Sequence, residues 1–178
     1  MIDLRSDTVT KPNDEMKNAM FNASLGDDVF EEDPTVTELE NRLAEIFGME
    51  AGIFCPSGTM TNQIALNIHL KPGDEVICSR ESHIYNYEGG GIAKNSSASV
   101  RLIEGSSGII KAHEINDNIN PDDVHYPISS LVALENTCNR GGGVCYSIND
   151  MKEISDVCKE YNLPLHLDGA RVFNAIVK

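Results

Sequence analysis

The sequence has 178 residues, enough for one domain of ordinary size with a real core. Its hydrophobic fraction of 40% and charged fraction of 24% mark a globular chain and exclude a disordered one. A net charge of −14 argues against nucleic acid and anionic membrane as partners, because both require a basic face.

The five cysteines, Cys55, Cys78, Cys138, Cys145 and Cys158, are odd in number and none are paired at C-x-x-C spacing. Neither a disulfide framework nor a metal site is expected from them. The opening MIDLRSDTVTKP has no apolar targeting core, and no apolar run is long enough to span a bilayer, so a cytoplasmic protein is the expectation.

In chain order, a polar N-terminal arm precedes Asp33-Pro34, which reads as an N-cap followed by proline at the first helical position. Val36, Leu39, Leu43, Ile46 and Phe47 mark one face of that helix, and Gly48 stops it. AGIFC (51–55) reads as a first strand and GTMTNQIALNIHL as the helix after it. Pro72-Gly73 is a turn and EVICS (75–79) a second strand. A helix over 84–93 is interrupted by Gly89-Gly90-Gly91. SVRLIE (99–104) and SLVALEN (130–136) are the third and fourth strands. Ser147 with Asp150 forms a capping box for a helix carrying Met151, Ile154, Cys158 and Tyr161, and LPLHLD is the fifth strand. This alternation predicts βαβ units and a mainly parallel sheet.

Ligands of such sheets lie beyond the carboxyl ends of the strands. After the first predicted strand, Ser57, Gly58 and Thr59 open a helix whose free N–H groups, dipole and hydroxyls suit a phosphate, although an ordinary capped helix start has the same look. After the second comes His83, able to move a proton near neutral pH or to stack on a planar ligand; structural histidines are common too. After the fourth lies Glu135-Asn136-Thr137-Cys138-Asn139-Arg140 and three glycines, which alone reads as a surface turn. After the fifth come Asp168 and Arg171, either an internal ion pair or two groups serving one ligand. A ligand with a phosphate, a flat ring and a basic ring nitrogen would use Ser57-Gly58-Thr59, His83 and Asp168 at once, and pyridoxal 5′-phosphate has those handles.

The sequence resembles the threonine aldolase family of fold-type I pyridoxal phosphate enzymes, in the β-eliminating lyase group. The matching stretches are DLRSDTVTKP (3–12), GDDVFEEDPTV (26–36), PSGTMTNQIAL (56–66), ESHIYNYEGGG (81–91), LENTCNRGGG (134–143) and LHLDGARVFNA (165–175). The resemblance implies the α/β, three-layer, mainly parallel large domain of those enzymes. It also implies retro-aldol cleavage of a β-hydroxy-α-amino acid, threonine or allo-threonine, to glycine and acetaldehyde. By resemblance, Gly58 and Thr59 bind the phosphate, with Ser57 beside them. His83 stacks on the cofactor ring near the substrate hydroxyl, and His125 is a second histidine near it. Asp168 pairs with the pyridine nitrogen. Arg171 contacts the substrate carboxylate or the cofactor's phenolic oxygen, Ser6 donates to that carboxylate, and Tyr87 lines the pocket. A homo-oligomer, tetramer or dimer, is implied as well.

Two departures stand out. Cys138 occupies a position where the family commonly has histidine. The serine-lysine-glycine stretch that anchors the cofactor is expected beyond Lys178, with the remaining strands and the small C-terminal domain. The chain is thus expected to be an N-terminal arm plus most of the large domain, with little activity alone. The alternatives are another fold-type I lyase, a hydroxymethyltransferase-like enzyme, or a non-catalytic fragment. A nicotinamide dehydrogenase is disfavoured, since G-x-G-x-x-G does not follow the first predicted strand.

Overall fold

The structure is a computed structural model that describes residues 2–3 and 5–178; Leu4 of the DLRSDTVTKP stretch lies outside the described residues. The chain divides into two compact units, Met1–Phe54 and Cys55–Lys178.

In the first unit, α1 (Asp14–Asn22) starts at Asn13, whose side chain accepts from Met16 N–H. The next helix, α2 (Pro34–Phe47), starts at Asp33, whose carboxylate accepts from the Thr35 and Val36 N–H groups, with Pro34 in the first turn. Those bonds, Val36 foremost, hold the Asp33 carboxyl below the usual carboxylate range. Gly48 ends α2 in the left-handed conformation that glycine adopts without strain. The predicted strand over 51–55 does not form: these residues are irregular, and Ile53 is 71% exposed. The physical reason is local. Phe54 N–H donates to Glu40 Oε1 at 2.6 Å, and Gly52 lies so close to the Glu40 carbonyl that a Cβ would sit 2.8 Å from it. A short apolar run that gives its N–H to a helix side chain, and has no ladder partner, is not a strand. No described residue of this unit is buried.

The second unit is built on a four-stranded sheet in the order β2-β1-β3-β4, every pair parallel. Its strands are β1 (Glu75–Ser79), β2 (Ser99–Ile103), β3 (Ser129–Glu135) and β4 (Leu165–Asp168). All four follow the sequence expectation to within a residue or two. Alternation along the strands sends side chains to two cores. Ile77, Ile103, Val132 and Leu134 pack on one face with Ile110, Ile115, Ile154 and Cys158. Val76, Cys78, Leu131 and Ala133 pack on the other with Leu66, Leu70, Ile84 and Ile92. The first face is covered by α6 (Ala112–Asn116) and α7 (Ile148–Glu160), the second by α3 (Gly58–His69), α4 (His83–Asn86) and α5 (Gly91–Ser96). The chain closes with α8 (Val172–Val177). This is the expected three-layer α/β architecture.

Two details differ from the sequence reading. The helix expected over 84–93 is two short helices, because Gly89 and Gly90 take φ of +63° and +71° between them. Ser147 Oγ caps α7 by accepting from Asp150 N–H, but the Asp150 carboxylate does not close the box. It takes the Ser147 hydroxyl at 2.9 Å and Lys111 Nζ at 2.7 Å instead.

Candidate active site

The C-terminal ends of β1, β3 and β4 lie side by side, with Glu135 registered against Asp168. Just past β1, His83 opens α4, and its backbone N–H donates to Glu135 Oε2 at 2.8 Å. The other oxygen of Glu135 accepts from Asn139 N–H at 2.9 Å, so one buried carboxylate ties the start of α4 to the loop after β3. The His83 ring is also held: Nδ1 lies 3.0 Å from Glu88 Oε1, with the imidazole side chain 35% exposed and that of Glu88 fully buried.

Asp168, at the tip of β4, is 8% exposed. Its Oδ2 accepts from Asn62 Nδ2 at 2.9 Å and its Oδ1 from Ala170 N–H at 3.2 Å. The same Asn62 nitrogen donates to Glu88 Oε1 at 2.9 Å, so one amide bridges two buried carboxylates. The Asn62 carbonyl oxygen faces His166 Nε2 at 3.0 Å. Desolvation holds the His166 imidazole below its ordinary range, so the neutral ring donates here. Glu88 Oε2 accepts from Gln63 Nε2 at 2.6 Å, and Gln63 Oε1 accepts from Asn95 Nδ2 at 3.0 Å. His83, Glu88 and Asp168 offer metal-ligating atoms within 4.8 Å of one another, but the Asn62 N–H groups already stand between the two carboxylates.

At the start of α3, Ser57 Oγ accepts from Met60 N–H and the Ser57 carbonyl from Thr61 N–H. The Gly58 and Thr59 N–H groups have no partner among the described residues, which leaves two first-turn donors for an anion. Ser57 and Thr59 line an open groove of about 730 Å³ with Gln63 and Lys94.

Tyr87 stands beside His83, ring centroids 5.4 Å apart, and its hydroxyl receives Arg140, which also pairs with Glu81 at 2.7 Å. Arg171 is half-buried at the turn that opens α8. Cys138 is buried, its thiol pushed up by desolvation, and its Sγ would lie 2.1 Å from a Cβ on Gly108. Asn136, which donates its backbone N–H to the Asp168 carbonyl, carries a buried side-chain oxygen with no hydrogen-bond partner among the described residues.

The structure therefore brings His83, Tyr87 and Asp168 to one end of one sheet. His125 is elsewhere. It lies in the exposed segment before β3, bonded to Asp123 through Nδ1 at 2.7 Å, where β1 and β3 begin. A seven-residue strand separates the two ends of β3 by about 20 Å. Ser6 belongs to the first unit, where it caps a short turn by accepting from Thr8 N–H. Sequence reasoning missed Asn62, Glu88, Glu135 and His166. A signal existed for Asn62: it shares the buried stripe of α3 with Leu66 and Leu70 at four-residue spacing, where an amide is out of place.

Comparison with known proteins bears on this cluster. The β-eliminating lyase family profile matches residues 3–178. A low specificity L-threonine aldolase of Escherichia coli K12 is 43% identical over 99% of this chain and 53% of its own length. A low specificity L-threonine aldolase of Saccharomyces cerevisiae is 41% identical over 97% of this chain and 45% of its own. Among solved structures, the Leishmania major threonine aldolase superposes with a TM-score of 0.60 at 32% identity, covering 67% of this chain and 34% of its own. A Listeria monocytogenes protein superposes with a TM-score of 0.76 at 26% identity, over 97% of this chain and 45% of its own. The chain thus spans about half the length of the curated relatives it matches.

Proposed function

The chain belongs to the β-eliminating lyase family, and on that premise we propose that it forms the cofactor-holding part of a threonine aldolase. That enzyme cleaves L-threonine or L-allo-threonine to glycine and acetaldehyde with pyridoxal 5′-phosphate. The observation that carries the reading is Asp168: a buried carboxylate at a strand end, hydrogen-bonded by amide N–H groups, next to a half-exposed histidine. A protonated ring nitrogen is the partner such a carboxylate suits.

The residues fit that cofactor. Asn136, whose backbone N–H bonds the Asp168 carbonyl, carries a buried side-chain oxygen without a partner among the described residues, and the Gly58 and Thr59 N–H groups wait at a helix start. Bound there, pyridoxal phosphate supplies an electron sink for breaking the Cα–Cβ bond. Asp168 keeps the ring nitrogen protonated. Gly58 and Thr59 hold the phosphate, with the Ser57 hydroxyl able to donate while its lone pair caps α3. His83 stacks on the ring and takes the β-hydroxyl proton, directly or through water. This role goes to His83 rather than His125 because His83 shares a cluster with Asp168. The planar fork of Arg171 binds the substrate carboxylate, and Tyr87 walls the pocket. The assembled enzyme is a cytoplasmic homo-oligomer, a tetramer or dimer.

The test is an assay of the full-length protein, loaded with pyridoxal phosphate, on L-threonine, L-allo-threonine and L-serine. Equimolar glycine and acetaldehyde from the first two supports the proposal. Pyruvate and ammonia from serine, with no acetaldehyde, moves the assignment to a β-eliminating lyase. No product from any of the three rejects the enzyme reading.

A further inference from the structure

Glu88 has no place in the chemistry above, yet it is the most tightly held side chain near it. Two amide donors and one imidazole nitrogen converge on its carboxylate: Asn62 Nδ2 at 2.9 Å and His83 Nδ1 at 3.0 Å on one oxygen, and Gln63 Nε2 at 2.6 Å on the other. Each flanking amide is fixed from its far side, Asn62 by His166 and Gln63 by Asn95. The orientation of both amides is therefore set, and each presents N–H to Glu88. An ionised carboxylate is acceptor-only and matches this donor set, whereas a group that must itself donate meets a second donor. The whole arrangement sits under Gly91, where a Cβ would stand 2.4 Å from the Gln63 amide.

The consequence falls on His83. A neutral imidazole carries one proton, on either ring nitrogen, and the bond made by one nitrogen decides the state of the other. With an acceptor locked opposite Nδ1, the proton belongs on Nδ1 and the lone pair on Nε2. We propose that Glu88 is a positioning residue that holds His83 as the Nδ1–H tautomer, so that Nε2 is the ring atom free to accept a proton. Asn62 extends the device by tying Glu88 to Asp168 through one amide, so the histidine and the carboxylate at the ring nitrogen are set by the same fixed side chain. The catalytic use of Nε2 rests on the cofactor reading above; the tautomer does not.

The test is nitrogen-15 NMR of the histidine-labelled, full-length protein without cofactor. It is run at about pH 8.5, above the ordinary imidazole range, with the His83 signals identified by their loss in His83→Asn. The expected result is an Nδ1–H population exceeding Nε2–H by about tenfold, the ratio one charge-assisted hydrogen bond supports. In Glu88→Gln that ratio falls at least about threefold, because the new amide offers His83 at best an uncharged acceptor and at worst an N–H. The melting temperature of the variant is read alongside. An unchanged ratio in a folded variant overturns the inference. Predominant Nε2–H in the unaltered protein overturns it too, and decides the matter if Glu88→Gln fails to fold. An Nδ1–H ring in a protein that does not bind pyridoxal phosphate leaves this inference standing and rejects the cofactor reading.

Discussion

Where β1 and β2 begin, Glu75 is 4% exposed and answers to a cation: Arg101 Nε lies 3.2 Å from its carboxylate, and Asn120 Nδ2 adds a bond at 2.9 Å. Where the strands end, Glu88, Glu135 and Asp168 are buried to a similar degree, but the donors described for them are amide N–H groups and one imidazole. Both ends satisfy their hydrogen bonds. At the first end a guanidinium is also laid against the carboxylate. Three buried carboxylates gather at the other end of the sheet, and the proposed cofactor would bring a cationic ring nitrogen to them. The first end is architecture, and on the proposed reading the other is a place for a guest.

The contrast is broken most directly at Asp168. Asp168→Asn keeps the shape and removes the charge, so cofactor-dependent turnover of the full-length protein should drop about 10²- to 10³-fold, the scale of losing one side of a buried ion pair. Steady-state kinetics and cofactor retention on gel filtration check this, and near-normal values would place the charge demand elsewhere. At the opposite end, Arg101→Met should leave Glu75 buried without its cation and cost about 2 kcal/mol in urea unfolding. Cofactor affinity should not move; if it does, the two ends are not independent. Gly91→Ala sharpens the view of the functional end. Its new Cβ meets the Gln63 amide, and we expect about 1 kcal/mol of destabilisation, checked by the same unfolding curves.

The smallest effect concerns acid. Burial keeps the His166 imidazole below its ordinary range, so below about pH 6.5 the unfolded chain takes up a proton that the native chain refuses. Stability contributed by this group is full above that pH and declines as pH falls toward the folded value. His166→Gln retains an N–H for Asn62 and does not titrate, so its melting temperature should decline less between pH 7 and pH 5. Parallel declines in the two proteins would show that His166 is not the group responsible.

The strands were legible because each is a short β-rich run bounded by turn residues, and β1 through β4 begin at Glu75, Ser99, Ser129 and Leu165, within two residues of where those runs start. The run at 51–55 has the same look and is no strand, since pairing is a tertiary event that no local pattern reports. His83 and Asp168 were readable from topology alone, as residues just past or at strand ends. Glu88 was not: beside three glycines it passes for a polar turn residue, and its burial depends on Asn62 and Gln63, some 25 positions earlier. His166 read as a member of an apolar strand, and only the fold brings it to Asn62, 104 positions away. His125 shows the converse. Its type and its motif context invited a role beside His83, while its position before β3 sets it at the other end of the strand.

The bond between Asn62 and Asp168 spans 106 positions of the chain. A ribosome adding about 5–20 residues per second needs on the order of ten seconds to make that stretch. During that interval Asn62 has already been synthesised, and the carboxylate it will hold has not. The bond between them therefore cannot form until β4 has been made, and its appearance in a nascent chain would report that the tip of β4 has reached α3.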